Sequence, residues 1–375
     1  METTGTPSPG GSPPSYWDYL RLDALLSLQG GLDDDESRLM PDELHFVVVH
    51  QVFELWFKLC LRELRLARDH LLEPEVPEET VPYVVHHLGR VSEIMKLMVQ
   101  QWSVMETLTP QDFLAFRDKL VPASGFQSFQ MREIELVLGM GEHERPDYGG
   151  VDPLEHILEA AETSPTGAFV RERIRSTRRE PTLRSALHAW LFRTPIQGSR
   201  PGEPGDDARI AEFLDAYLQA YRVDQEAMAQ RLEAASVADD EALRRRVDRT
   251  LEAARRFLEA DDVAPDRRLA LRRARAGLLF VESYRELPLL AWPRTLVDAV
   301  VEVEEQFVLW RHRHARMTER TIGRRVGTGG SSGVDYLDEA ARGRIFPELW
   351  TVRSLLLPRE ALPALRDPAS YGFAR

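Results

Sequence analysis

The sequence predicts an all-α protein: a helical bundle core with extra helices around it. Three observations carry this expectation. From Tyr16 onward, apolar residues recur at intervals of three and four over long segments, the period of an amphipathic helix. Alternating apolar–polar runs bounded by turns, which would mark half-buried strands, are missing. Breaks rich in Pro and Gly are few and widely spaced.

The elements follow in chain order. Residues 1–15 are mostly Gly, Pro, Ser and Thr and read as a disordered tail, with neither the basic nor the apolar region of a signal peptide. A first helix is expected over 16–29. The next spans 42–72, where Pro41 before Asp42 and Glu43 marks a helix start. Further helices are expected at 79–107, 126–139, 207–235, 240–260, 266–283 and 295–322. Residues 194–207 (TPIQGSRPGEPGDD) read as a loop or partly disordered insertion, and Gly327–Gly333 as a second break. At 375 residues the chain is long enough for one large domain or two ordinary ones. A single all-helical domain over 16–375 is the expectation. No stretch reaches about 18 uncharged apolar residues, so no membrane span is expected.

Charge and cysteine usage narrow the chemistry. There are 61 acidic and 48 basic residues, a net charge of −13, which disfavours a chain-wide nucleic-acid-binding role. A soluble cytoplasmic protein fits this composition. Cys60 is the one cysteine, so neither an internal disulfide nor a Cys-based zinc site can form. Lys58, Lys96 and Lys119 are the lysines, the other 45 basic residues are arginine, and asparagine is absent. That bias points to a GC-rich, bacterial genome and makes an arginine informative only where its neighbours are.

Four places can carry chemistry. Phe46, His50, Phe53 and Phe57 share one helix face. Phe307, Trp310, His314 and Met317 share another, with His312 on the opposite, arginine-rich side. Each helix thus turns one imidazole into an aromatic stripe. A lone case reads as a core histidine with one hydrogen bond. Two such histidines suit a flat apolar cofactor such as haem, with one axial imidazole and hydrophobic walls. Without CxxCH the haem would be held non-covalently. The second place is Gly327-Thr328-Gly329-Gly330-Ser331-Ser332-Gly333, either a flexible linker or a loop that closes over a ligand. It lacks the ending of a P-loop. The third is Phe113 with Arg117 one helical turn later, followed by ASGFQS. An arginine there can grip a carboxylate through two parallel hydrogen bonds, or be one surface arginine among many. The fourth is Tyr16-Trp17-Asp18-Tyr19-Leu20, an aromatic face or a hydrophobic staple.

Together YWDYL, FVVVHQVFELWFK, FRDKLVPASGFQSFQMREIELVLG and WRHRHARMTERTIGRRVGTGGSSGVDYL, in this order from residue 16 to 337, resemble the bacterial tryptophan 2,3-dioxygenases. The resemblance implies an all-helical homotetramer with haem b, ferrous in the active form. It implies insertion of both atoms of O2 across the indole C2–C3 bond of L-tryptophan, giving N-formylkynurenine. By the same resemblance His314 is the proximal iron ligand and His50 the distal histidine. Arg117 binds the substrate carboxylate and Thr328 the amino-acid end. Phe46, Phe113 and Leu120 line the indole pocket. Ser124, Gly125 and Trp310 lie against the haem. Tyr16, Tyr19 and Leu20 complete a neighbouring subunit's pocket. Pro41 stands where the family commonly has His, and Met131 where an aromatic is often found. Relatives on this scaffold that add one oxygen atom to tryptophan or a modified tryptophan, giving a 2-oxindole, supply the alternative reading.

Overall fold

The computed structural model describes residues 13–141, 144–146, 152–236, 240–329 and 333–372. Most of the expected tail, residues 1–12, lies outside them, as do Gly330, Ser331 and Ser332 of the glycine-rich run. Among the described residues the protein is all-α, with no named strand.

The α-helices are α1 (Tyr16–Leu20), α2 (Leu22–Leu25), α3 (Pro41–Leu72), α4 (Val81–Met105), α5 (Pro110–Phe116), α6 (Phe129–Leu138), α7 (Pro153–Thr163), α8 (Gly167–Thr177), α9 (Leu183–Phe192), α10 (Asp206–Ala234), α11 (Asp240–Leu258), α12 (Pro265–Ser283), α13 (Ala291–Ile322), α14 (Val334–Ala340) and α15 (Pro347–Arg353). Three long helices make the centre: α4 packs between α3 and α13. Their buried stripes follow the helical period. On α3 these are Val49, Phe53, Phe57, Leu61 and Leu64, and on α4 Leu88, Val91, Met95, Met98 and Trp102. On α13 they are Val300, Val303, Phe307 and Trp310. One window of α3 is apolar enough to cross a membrane by length and composition, with mean hydropathy 1.4. In the fold that helix packs on α4, α9 and α6.

The helix ends have local causes. Pro41 occupies the first turn of α3, and the Met40 N–H donates to Glu43 Oε2 at 3.2 Å. At the far end Arg193 donates to the carbonyls of Leu71, Glu73 and Pro74 at 2.6–3.0 Å, satisfying orphan acceptors of the last turn. Behind this bundle α12 crosses α9 closely. A Cβ at Gly277 would lie 2.4 Å from the Leu191 carbonyl oxygen, so only glycine fits the crossing.

Two expectations change. The expected helix 16–29 is broken at Arg21, which adopts φ +53°. The segment's apolar residues are exposed, Tyr19 by 80%, so no packed face sustains one continuous helix. The helix expected from 126 begins at Phe129 instead, because Ser128 Oγ accepts the Met131 N–H and caps it. Of the expected loop 194–207, residues 194–205 form a defined loop and Asp206 and Asp207 already belong to α10. Gln197 and Gly198, both at positive φ, turn the chain tightly between Ile196 and Ser199, which exchange two backbone hydrogen bonds of 3.0 Å. Gln197 bonds to Ala364 O and Arg366 N, and Tyr371 Oη to Gly198 N and Pro195 O.

Candidate active site

A cavity of about 530 Å³ opens between α3, α4, α6, α13 and the loops after α5 and α13, within the range of small-molecule sites. Its lining includes Phe46, His50, Phe113, Arg117, Leu120, Ser124, Gly125, Trp310, His314 and Thr328. The structure therefore brings together residues up to 282 positions apart, and the two imidazoles share one chamber. Tyr16, Tyr19 and Leu20 are not among its lining and stand exposed on the chain's surface, Tyr16 by 71%.

Helix geometry fixes His50. Its Nδ1 lies 2.8 Å from the Phe46 carbonyl oxygen one turn earlier. A carbonyl only accepts, so Nδ1 carries the proton and Nε2 keeps its lone pair. Phe46 also packs against His50, with ring centroids 4.0 Å apart and the rings tilted by 33°. Burial pulls the His50 imidazole below its ordinary pKa, against the Phe46 hydrogen bond that favours the charged form. His314 is walled by Trp102, stacked at 4.7 Å and 1°, and by Trp310 at 5.4 Å. Burial drives its pKa down to about 3, and His50 and Arg132 add to the shift. Both rings are neutral at pH 7, the form in which imidazole binds a metal.

The other side of the cavity is built by two loops that touch. Thr328 Oγ1 donates to the Ala123 carbonyl at 2.6 Å. Arg117 Nη2 donates to the Val326 carbonyl, while Arg117 Nε is buried without an acceptor. The ASGFQS turn and the threonine loop therefore form one wall. Ser124 Oγ accepts the Phe126 N–H at 3.3 Å and holds the turn in shape.

The lining fits haem by its chemistry. Four buried N–H groups in it lack an acceptor: Trp102 Nε1, Trp310 Nε1, Arg117 Nε and Arg132 Nε. Leaving buried donors unpaired is costly, so the walls suit an occupant that brings carboxylates. A neutral His314 among aromatic rings suits an iron ligand. Cys60 does not line the cavity, and burial pushes its thiol up to about 12. No group of three or more metal-ligating side chains occurs among the described residues.

The comparisons with known proteins decide the family. The family model described as tryptophan 2,3-dioxygenase matches residues 4–356. The chain belongs to the tryptophan 2,3-dioxygenase family. It is 46% identical to a tryptophan 2,3-dioxygenase of Sorangium cellulosum over 365 residues, covering 96% of this chain and 87% of that protein. It is likewise 46% identical to "tryptophan 2,3-dioxygenase 2" of Ralstonia nicotianae over 377 residues, covering 96% of this chain and 98% of the other. A tryptophan 2,3-dioxygenase of Dictyostelium discoideum is 32% identical over 363 residues, covering 93% of this chain and 85% of its own length. These names fall on the dioxygenase side of the two readings and not on the 2-oxindole side. Members of this family are oxidoreductases.

Several lining residues of this family member escape sequence reasoning: Glu54, Trp102, Arg132, Glu135, Arg311 and Tyr336. Trp102 had a signal, since it extends the Met95, Met98, Trp102, Met105 stripe of α4. Arg132 and Glu135, three apart, had another. Neither shows from sequence that it faces a cavity and not the core.

Proposed function

We propose that this chain is a haem-dependent dioxygenase that converts L-tryptophan and O2 to N-formylkynurenine. The observation that supports it most is the shared chamber: His50, His314 and Arg117 line one cavity whose buried donors lack acceptors. In this reading His314 holds the iron of haem b, and Ser124, Gly125 and Trp310 lie against the macrocycle. Haem, when bound, supplies the ferrous iron and the oxygen chemistry.

The chain's residues bind and orient. Arg117 has one Nη2 hydrogen committed to Val326. Its Nε–H, buried without an acceptor, is left for the substrate carboxylate. Thr328 gives its hydroxyl proton to Ala123, so its oxygen lone pairs are left to accept from the substrate ammonium. His50 Nε2 accepts the indole N–H, a positioning contact that requires no proton abstraction. Phe46, Phe113 and Leu120 wall the indole and exclude water. Fixing a substrate at both ends removes orientational freedom, an effect worth several kcal/mol in well-aligned reactions, roughly 7–11 at the upper end. A cytoplasmic homotetramer, in which Tyr16, Tyr19 and Leu20 complete a neighbour's pocket, goes with this reading.

The test is mass spectrometry of the product from L-tryptophan and isotopically labelled O2 with the reduced, haem-loaded protein. Two labelled oxygens in one product are expected, together with loss of the haem Soret band in His314→Ala. A product carrying a single labelled oxygen would sink the proposal.

A further inference from the structure

The cavity holds a charge arrangement that orientation of the substrate leaves unexplained. Arg132 and Glu135 stand three apart on α6, and Arg311 lies three residues before His314 on α13. All of them line the cavity. One carboxylate lies between the two guanidiniums, hydrogen-bonded to Arg311 and ion-paired with Arg132. Arg132 Nη1 is 2.8 Å from Glu135 Oε2, and Arg311 Nη2 donates to Glu135 Oε1 at 2.8 Å. Glu135 is 3% exposed and Arg311 6%.

The two arginines are not equivalent. Arg311 is held from several sides: it donates to the Ala340 carbonyl at 3.0 Å, lies 3.4 Å from Met140 Sδ and stands 4.2 Å over the Phe307 ring. It is an anchor. Arg132 keeps a buried Nε without an acceptor. Two buried guanidiniums against one carboxylate leave a surplus positive charge, which is unfavourable in the protein interior until an anion compensates it.

We propose that Glu135 is a positioning residue that acts through Arg132. Held by the anchored Arg311, it fixes the Arg132 guanidinium so that its unpaired edge serves a haem carboxylate. The relay runs from Phe307 and Ala340 through Arg311 and Glu135 to Arg132. It rests on the haem reading above.

Charge and position make opposite demands, which allows a clean test. Glu135→Gln removes a negative charge, so electrostatics alone would tighten the hold on an anionic haem. Loss of positioning would loosen it. The measurement is haem release from the holoenzyme to excess apomyoglobin, followed at the Soret band. Glu135→Gln and Arg132→Gln should each release haem about ten-fold faster or more, the effect of losing a charge-assisted hydrogen bond. The double variant should release no faster than Arg132→Gln, because both changes cut one relay. Glu135→Asp should restore part of the wild-type rate. The ferric/ferrous midpoint of Glu135→Gln should rise, since a negative charge near the iron is lost, a shift that a purely structural role would not produce. Unchanged or slower release in Glu135→Gln, or additive effects in the double variant, would overturn the relay while leaving the dioxygenase reading standing. A wild type that takes up no haem would overturn both.

Discussion

Arg117 is one of 45 arginines in a chain that uses arginine almost wherever it needs a cation. Its surroundings set it apart: a buried Nε, one bond to Val326 and Phe113 a turn away. Arg117→Lys keeps the charge and loses the planar fork. It should raise KM for L-tryptophan about 10–100-fold, the equivalent of one lost charge-assisted hydrogen bond of roughly 1.5–3 kcal/mol. Tryptamine, which lacks the carboxylate, should bind wild type and variant equally in a spectral titration. A change confined to kcat with KM untouched, or an equal penalty for tryptamine, would remove Arg117 from that role. At this scale the sequence was informative where periodicity did the work. His50 and His314 could be placed on inward faces because neighbours three and four residues away were aromatic. Glu135 could not, because a carboxylate on a half-apolar helix is normally solvated. Its burial depends on Arg132 and on Arg311, 176 residues away.

Elements show the same division. The long helices α3, α4, α10, α11, α12 and α13 were legible within a few residues, since a stripe repeated over many turns outweighs local noise. The short helices α5, α7, α8, α9, α14 and α15 were not assigned. Their 7–11 residues carry too few turns for a period to declare itself. The starts of α5 and α7 were nevertheless written in Thr109-Pro110 and Asp152-Pro153, a cap residue followed by proline. One short element supports a stability prediction. Glu348 on α15 meets Arg184 at 3.1 Å and His188 at 3.7 Å on α9. Burial alone would raise its pKa, but the nearby His188 ring and the Arg184 guanidinium outweigh it and hold the carboxyl down at about 2. A depressed carboxylate stabilises the fold fully above its ordinary value of 4.5, and that contribution fades as pH falls toward 2. The Tm gap between wild type and Glu348→Gln should be constant above about pH 5.5 and narrow between pH 4.5 and 2. A gap independent of pH across that window would contradict the assignment.

At the scale of the whole molecule, the exposed N-terminal residues stand out. Trp17 is 63% exposed and Leu32 92%, and large apolar side chains exposed in one segment often mark a surface that meets a partner. Under the proposed tetrameric assembly, deleting residues 1–21 should lower the mass measured by light scattering and raise KM for L-tryptophan about ten-fold or more, as loss of pocket-completing contacts would. A truncated chain of unchanged mass and KM would assign those residues elsewhere. The two-loop wall has a different consequence. Thr328 meets Ala123 and Arg117 meets Val326 across more than 200 residues of chain. Neither loop presents its pocket surface without the other. Anyone redesigning the substrate range would therefore have to graft 117–128 and 323–329 as a matched pair, because a single transplanted loop would arrive without the carbonyl or hydroxyl that shapes it.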